Sequence, residues 1–208
     1  MHNNIGIYSC YFPNISDSVA EHQQMVFNKF GLTIEQTKLV PNDFAYGHGM
    51  FINDTLNTTN KEYVIFFDID CIPLSAEFYE EICNDMFSQK LSGAIGCANH
   101  IDQHKTYIHP CFMGFSLEIY NKCHRPNLVN DGECDTAQRL TNVCIEKNIP
   151  LKYWEITDSA DNYWPMIPRN THFGHGTIFK NIIYHQYEGR FPENQTGFIN
   201  KCKQILDK

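Results

Sequence analysis

Two aspartates separated by one residue, Asp68 and Asp70, directly follow the apolar run from Tyr63 to Phe67. The run is β-branched and aromatic, which predicts a buried strand of a parallel sheet. Because unpaired carboxylates are costly to bury, both should emerge at the end of that strand, at the edge where open α/β sheets bind ligands. Their spacing turns both side chains to one face. Such carboxylates suit a divalent cation that serves an anionic ligand, although a turn with one capping and one solvated aspartate has the same spacing.

The residues around this pair resemble a known motif. The stretch from Phe66 to Pro73 follows a predicted helix that includes Asn53 and Asn57, and it is similar to the D-x-D region of nucleotide-sugar-dependent glycosyltransferases with the GT-A fold, in particular the family 2-like enzymes. The resemblance implies a GT-A-like, doubly wound α/β fold. It also implies that Asp68 contacts the ribose or sugar of the donor, and that Asp70 binds a Mn²⁺ or Mg²⁺ ion that bridges the diphosphate.

The segment after the second predicted strand departs from the family pattern. An acidic D-x-S sequence is usual there, whereas this chain has a Pro-Asn-Asp sequence that ends at Asp43. We expect Asp43, Tyr11 and Arg190 to contribute to binding of the nucleotide-sugar donor, which is a UDP-sugar by family analogy. Arg190 could neutralise a phosphate, or it could pair with Glu188 or Glu193 at the surface.

A late histidine is a further candidate ligand. In GT-A enzymes such a residue often completes the metal site, and His185, at the end of an apolar segment, falls where the resemblance would place it. His172 and His175 are rivals, because the glycines beside them are typical of a loop that could close over a diphosphate. A histidine that ends an apolar strand is also commonly a buried residue without a ligand, so the choice stays open.

The acceptor hydroxyl needs a base, and acids cluster at Asp131, Glu133 and Asp135. In family 2-like enzymes an acidic residue that opens the helix after the acceptor-side strand is the base, which favours Asp135 first and Glu133 second. Asp135 and Gln138 also form a capping-box pattern, and a carboxylate that accepts backbone N–H bonds has a lowered pKa and is a weaker base. If configuration is retained, these acids would instead position the acceptor or stabilise the sugar cation.

Hydrophobic periodicity assigns the rest of the chain to alternating strands and helices. The predicted strands are Ile5–Tyr11, Thr37–Val40, Tyr63–Phe67, Gly93–Ala98, His109–Ser116, Lys152–Ile156 and Ile178–His185. The predicted helices are Ser18–Phe30, Gly47–Thr59, Ser75–Gln89, Asp135–Lys147 and Gln195–Leu206. This order favours a doubly wound, mainly parallel central sheet flanked by helices, with right-handed crossovers. Residues 99–107 and 158–176 read as loops, and a loop as long as the second is usually functional or mobile.

The 208 residues are 42% hydrophobic and 19% charged, as in a globular protein. This length fits one catalytic domain, 1–208, in which residues 1–100 form a nucleotide-sugar-binding half and residues 101–208 form an acceptor-binding half with the C-terminal metal-ligand segment. The formal net charge of -8 argues against broad electrostatic binding of nucleic acid.

Cysteine usage and the N terminus bear on location. None of the nine cysteines forms a C-x-x-C pair, which predicts reduced thiols in a cytosol. The first residues lack the pattern of a signal peptide, and no run reaches the roughly 20 apolar residues of a membrane span. We expect a cytoplasmic enzyme, and the compact size also suits a virus-encoded enzyme that acts in the host cytoplasm.

These inferences predict a transferase that moves a sugar from a nucleoside-diphosphate sugar to an acceptor hydroxyl. A glycan is the default acceptor, and a modified nucleobase in DNA is an alternative that the acidic charge disfavours. A nucleotidyltransferase of similar fold would carry a glycine-rich basic signature near the first strand, which residues 5–14 lack. A phosphatase of the haloacid-dehalogenase type carries its D-x-D on the first strand rather than the third. A non-catalytic nucleotide-sugar-binding module stays open, as does the oligomeric state.

Overall fold

Strands and helices alternate in the first part of the chain, and short strands dominate the second. The computed structural model describes residues 4–40, 47–88, 94–102, 105–160, 164–166 and 171–208. The strands are β1 (Ile5–Tyr11), β2 (Glu35–Lys38), β3 (Tyr63–Asp68), β4 (Cys71–Pro73), β5 (Ala94–Asp102), β6 (Lys105–Ser116), β7 (Leu151–Trp154), β8 (Ile156–Ser159), β9 (Trp164–Met166), β10 (Thr171–Phe173), β11 (Thr177–Phe179) and β12 (Ile183–His185). The helices are α1 (Asp17–Lys29), α2 (His48–Thr58), α3 (Glu77–Cys83), α4 (Leu117–Lys122), α5 (Gln138–Glu146) and α6 (Pro192–Leu206), and a π-helical turn, Asn84–Ser88, extends α3.

The described strands form a central sheet in the order β2-β1-β3-β6-β5-β7. Strands β2, β1 and β3 are mutually parallel, β7 is parallel to β5, and only β6 runs antiparallel to its neighbours. The prediction of a mainly parallel, doubly wound α/β sheet is therefore confirmed. The antiparallel β6 was not foreseen, and it brings the segment from Tyr107 to Phe112 beside the end of β3.

A second, antiparallel sheet packs beside the first in the order β4-β12-β11-β8. The prediction of one strand from Ile178 to His185 is wrong, because the chain reverses between β11 and β12. Lys180 and Asn181 adopt φ angles of 51° and 58° in that reversal, as the two central residues of a tight hairpin do. The pairing of β12 with β4 sets His185 opposite Cys71.

The two faces of β3 bury separate hydrophobic clusters. Phe67 packs with residues of α1, α3, α6 and the second sheet, whereas Phe66 faces the opposite way and packs with residues of α2, α4 and α5. Both rings are fully buried. This sandwich fixes β3 on both sides, so the aspartates at its end extend from a rigid base.

Several predicted boundaries need correction. Helix α1 is capped by Ser16, whose Oγ accepts a hydrogen bond from the backbone N–H of Ser18, so the predicted cap lies two residues too late. Strand β2 begins at Glu35 rather than Thr37, and α4 was not predicted. The polar stretch 99–107, read as a loop, continues β5 to Asp102 and begins β6 at Lys105. No helix in the described part of the chain is both long and apolar enough to cross a membrane.

Candidate active site

The two aspartates lie in the short turn that joins the two sheets. Asp68 ends β3, and Asp70 directly precedes β4. The side chain of Gln23, buried on α1, donates hydrogen bonds to the backbone oxygens of Asp68 (2.8 Å) and Cys71 (2.9 Å). The backbone oxygen of Asp70 accepts a hydrogen bond from Gln186 N at 2.9 Å. Contacts from both ends of the chain therefore fix this turn.

Asp68, Asp70 and His185 form a compact donor group. His185 Nε2 lies 3.5 Å from Asp68 Oδ2 and 3.4 Å from Asp70 Oδ1, and one potential ligand atom from each residue lies within 4.8 Å of the others. Two carboxylates and one imidazole suit a divalent cation such as Mn²⁺ or Mg²⁺, since hard oxygen donors predominate. The residues present thus fit the cation that the D-x-D resemblance implies.

Electrostatics in this group favour a bound cation. Burial raises the pKa of the Asp68 carboxyl above its usual value. Burial also opposes ionisation of Asp70, but the charge of His185 and the Gly189 N–H outweigh it and hold the Asp70 pKa below its usual value. His185 is 1% exposed; burial acts against its charge, yet Cys111 and Asp70 raise its pKa well above the ordinary range. A divalent cation would supply the positive charge that a proton on His185 otherwise provides.

His48 also contacts the pair, and the sequence did not single it out. It is the first residue of α2, and its Nδ1 lies 3.2 Å from Asp68 Oδ1. Asp68 therefore has a histidine on each carboxylate oxygen, whereas Asp70 is held by His185 and by the Gly189 N–H at 2.9 Å. A histidine after a glycine at the start of a helix is too common a pattern to have predicted this contact.

A cavity of about 280 Å³ opens beside the aspartates. The described residues that line it are Cys10, Tyr11, Phe12, Ile15, His48, Asp68, Ile69, Asp70, Glu188, Gly189 and Arg190. Two of the predicted donor-binding residues, Tyr11 and Arg190, thus share the cavity with the aspartates, and Asp43 lies outside the described residues. A larger cavity of about 460 Å³ lies at the far end of α2, around Tyr8 and Thr59, and none of the candidate residues lines it.

A second group of donors lies behind His185. Potential ligand atoms of His109, Cys111 and His185 lie within 4.8 Å of one another, and all three residues are buried. A bulge in β6 creates this group: Pro110, Cys111 and Phe112 fall between the pairs that His109 and Met113 make with β5. Bulges of this kind redirect side chains beside active sites.

Hydrogen bonding argues against a metal in this second group. His109 Nδ1 accepts the backbone N–H of Cys111 at 3.1 Å, so its lone pair is engaged. A neutral imidazole with that acceptor carries its proton on Nε2, which then has no lone pair for a metal. His109 and Cys111 are better placed to support His185 than to chelate a separate ion.

The predicted base Asp135 is held by hydrogen bonds to its side chain. Its carboxylate accepts hydrogen bonds from Tyr107 Oη (2.5 Å), Asn130 Nδ2 (3.1 Å) and Thr136 N (2.8 Å). The predicted capping box is half formed: Gln138 Oε1 accepts the backbone N–H of Asp135, but α5 begins only after Ala137. Asp135 is not among the described residues that line the cavity beside Asp70.

A row of rings connects Asp135 with the aspartate pair. The Tyr107 and His109 ring centroids lie 6.3 Å apart, and those of His109 and His185 lie 5.9 Å apart. Glu133 is exposed, and its backbone N–H donates to Asp131 Oδ1. Within the described residues, side-chain contacts therefore link Asp135, but not Glu133, to the metal-ligand candidates.

The rival histidines differ from His185 in position. His175 Nε2 lies 3.6 Å from Glu188 Oε2 and 3.3 Å from Asn194 Nδ2, so it contacts the loop after β12 and the first turn of α6. The side chain of His172 lies outside the described part of the structure. Of the two candidates whose side chains are described, His185 is the one whose ligand atoms lie beside the D-x-D pair.

Comparison with known proteins gives structural neighbours only. No protein-family model and no curated protein sequence matches the chain. A glycosyltransferase involved in the glycosylation of the major capsid of PBCV-1 is similar with a TM-score of 0.51 and 14% identity, over 98% of this chain and 99% of that chain. The mannosyltransferase PcManGT from Pyrobaculum calidifontis, solved with GDP-Man and Mn²⁺, is similar with a TM-score of 0.54 and 9% identity, over 72% of this chain and 54% of that chain. At these identities the likeness establishes the fold: the chain has the GT-A-like fold that its D-x-D region predicted.

Proposed function

We propose that the protein is a metal-dependent glycosyltransferase that moves a sugar from a nucleoside-diphosphate sugar, a UDP-sugar by family analogy, to an acceptor hydroxyl. The observation that carries this proposal is the group Asp68, Asp70 and His185 beside a cavity in a GT-A-like fold. The similar mannosyltransferase was solved with GDP-Man and Mn²⁺, which supports a nucleotide-sugar donor and a divalent cation.

The candidate residues of the site have separate roles in this proposal. Asp70, Asp68 and His185 hold Mn²⁺ or Mg²⁺, which when bound stabilises the negative charge that develops on the departing diphosphate. Asp68 also contacts the ribose or sugar of the donor, and His48 orients its carboxylate. Tyr11, Arg190 and Asp43 bind the nucleotide. Arg190 pairs with Glu188 through Nη2 at 3.0 Å, and its side chain, which is 64% exposed, has further N–H donors for a phosphate.

The acceptor side is assigned to Asp135, with Glu133 as the second candidate. Three hydrogen bonds orient the Asp135 carboxylate, as a base must be oriented to receive the proton of an acceptor hydroxyl. In the retaining case the same carboxylate would position the acceptor instead. The acceptor is a glycan hydroxyl in preference to a modified nucleobase in DNA, since the net charge of -8 disfavours a polyanion.

The proposal extends to the organisation of the chain. Residues 1–100 form the half that binds the nucleotide sugar, and residues 101–208 supply the acceptor-binding half and the C-terminal metal ligand within one catalytic domain. In support of this division, Asp68 and Asp70 lie at the end of β3, whereas His185 is the last residue of β12. We place the enzyme in the cytoplasm, including the cytoplasm of a virus-infected cell if the gene is viral.

A hydrolysis screen tests the activity. Many glycosyltransferases slowly transfer the sugar to water, so the wild-type protein with Mn²⁺ should release a nucleoside diphosphate from at least one nucleotide sugar. Chromatography of the nucleotides measures this release. Asp70→Ala should abolish release, and Glu146→Ala, an exposed acid on α5, should leave it unchanged. Binding of the donor without hydrolysis or transfer would point instead to a non-catalytic module.

A further inference from the structure

One carboxylate in the cavity has no role in the proposed reaction. Glu188 lines it together with Asp68 and Asp70, and its side chain is 18% exposed. The sequence suggested Glu188 only as a surface partner of Arg190. The cavity nevertheless places a third acid beside the pair that would hold a cation and a diphosphate.

The backbone around Glu188 is strained. Tyr187 and Glu188 are consecutive non-glycine residues with φ angles of 60° and 51°, in the left-handed region that disfavours a Cβ. Strain of this kind persists where surrounding contacts fix the chain, and it concentrates at functional sites. Glycine would adopt these φ angles without strain, so the side chains at 187 and 188 carry a conformational cost.

Contacts with Asp70 fix the position of this turn. Gln186 N donates to the backbone oxygen of Asp70, and Gly189 N donates to Asp70 Oδ2, both at 2.9 Å. Asn194 Nδ2 donates to the backbone oxygen of Glu188 at 3.1 Å. The placement of Glu188 relative to Asp70 is therefore set by hydrogen bonds on both sides of the strained residues.

The Glu188 carboxylate is oriented but not saturated by its described partners. Arg190 Nη2 donates to Oε1 at 3.0 Å, and His175 Nε2 lies 3.6 Å from Oε2. A carboxylate has about four acceptor positions, so capacity is left for donors that enter the cavity. Two anions repel, so the Glu188 carboxylate suits a hydrogen-bond donor better than a phosphate.

We infer that Glu188 binds hydroxyl groups of the transferred sugar, and that the donor therefore carries a neutral, hydroxyl-bearing sugar rather than an acidic one. Sugar hydroxyls donate short, strong hydrogen bonds to a carboxylate. A uronic or sialic acid would instead bring its own carboxylate against that of Glu188, and the two like charges would repel each other. The inference rests on the proposed function, because it assigns the sugar end of the same donor site.

Two titrations separate the sugar from the nucleotide. In the presence of Mn²⁺, the affinities for UDP, GDP and their neutral hexose conjugates are measured by calorimetry for wild type, Glu188→Gln and Glu188→Ala. We expect both variants to bind the nucleoside diphosphate within twofold of wild type and the hexose conjugate about tenfold more weakly, with the larger loss in Glu188→Ala. Glu193→Gln, an exposed acid in the first turn of α6, is the matched control and should change neither affinity.

The outcomes distinguish this inference from the proposed function. Equal weakening of diphosphate and conjugate in Glu188→Ala, no weakening of either, or a wild-type preference for a uronic acid conjugate would overturn the assignment of Glu188 and leave the transferase proposal standing. Absence of Mn²⁺-dependent binding of any nucleoside diphosphate by the wild-type protein would overturn the proposed function, and this inference with it. Unfolding temperatures of the variants within a few degrees of wild type exclude loss of the fold as the cause.

Discussion

The replacement Gly189→Ala should weaken metal binding without unfolding the protein. Gly189 N–H donates to Asp70 Oδ2 at 2.9 Å, and a Cβ at position 189 would lie 2.4 Å from that oxygen and 3.0 Å from Asp70 Cγ. Ordinary van der Waals contact begins near 3.4 Å, so the carboxylate must move by about 1 Å. The φ angle of Gly189 lies outside the left-handed region, so alanine fits the local backbone and the effect falls on Asp70.

The magnitude follows from what this displacement removes. Asp70 is almost fully buried, so its carboxylate cannot turn to solvent without leaving the donor group. Disturbing the orientation of a metal ligand commonly costs about 10- to 100-fold in metal affinity. For Gly189→Ala this corresponds to a loss of about 1.4–2.8 kcal/mol in the free energy of Mn²⁺ binding.

Electron paramagnetic resonance of free Mn²⁺ measures the effect directly. Titration of the wild-type protein and of Gly189→Ala, each with saturating nucleoside diphosphate, gives the two dissociation constants. Gly47→Ala is the control, because a Cβ there meets nothing within 4 Å. A Mn²⁺ affinity of Gly189→Ala within twofold of wild type would refute the reasoning, since it would mean that the position of the Asp70 carboxylate does not matter for metal binding.

Three further substitutions test other parts of the structure. Gly49→Ala should lower the free energy of unfolding, measured in urea, by about 2 kcal/mol, because the added Cβ would lie 2.4 Å from the backbone oxygen of Leu128. The higher helix propensity of alanine offsets only part of this overpacking. An unchanged free energy of unfolding would contradict the close contact between Gly49 and Leu128. Asp85→Ala should lower the free energy of unfolding by about 2–3 kcal/mol in the same assay, because the buried carboxylate accepts a hydrogen bond from Trp154 Nε1 and pairs with two partly exposed lysines. Asp85→Asn should lower it less, because the asparagine side chain can keep the hydrogen bond to the indole. Cys111→Ala should weaken Mn²⁺ binding about tenfold, and Cys111→Ser should recover part of the affinity. If the purified wild-type protein instead contains stoichiometric zinc, and Cys111→Ala has lost it, Cys111 belongs to a separate thiolate metal site.

Secondary structure could be predicted from the sequence where the hydrophobic pattern of a segment reflects how that segment is buried. The apolar run before Asp68 predicts a central strand because both of its faces are covered, and its boundaries match β3. The hydrophobic face of α6 and the glycine that ends α1 were also readable locally; Gly31 has a φ angle of 71°. These features depend on residues close together in the chain.

Contacts between distant segments could not be read in this way. Gln23, His48 and Glu188 all meet the D-x-D turn through the sheet topology, and each is of a residue type found on many surfaces. His185 was placed by the family resemblance rather than by its neighbours in sequence. Its partner Asp70 lies in the turn just before β4, and the pairing of β12 with β4 brings the two residues together.

The errors in secondary structure have specific physical causes. Residues 99–107 are mostly polar, and β5 and β6 pair with each other there, so a search for hydrophobic periodicity does not find the extension. The reversal at Lys180 and Asn181 lacks the glycine that marks most tight hairpins, so two short strands read as one. Ser16 and Ser18 are both residue types that cap helices, and in the structure the cap is Ser16, whose Oγ accepts the N–H of Ser18.

The central claim is that Asp68, Asp70 and His185 bind a nucleoside diphosphate through a divalent cation. Isothermal titration calorimetry of UDP and GDP, with Mn²⁺ and with chelator, against wild type and Asp70→Asn tests it most directly. We expect at least one of the two nucleotides to bind the wild-type protein with Mn²⁺, and neither to bind with chelator or to Asp70→Asn. Binding that persists with chelator, or that survives intact in Asp70→Asn, would contradict it.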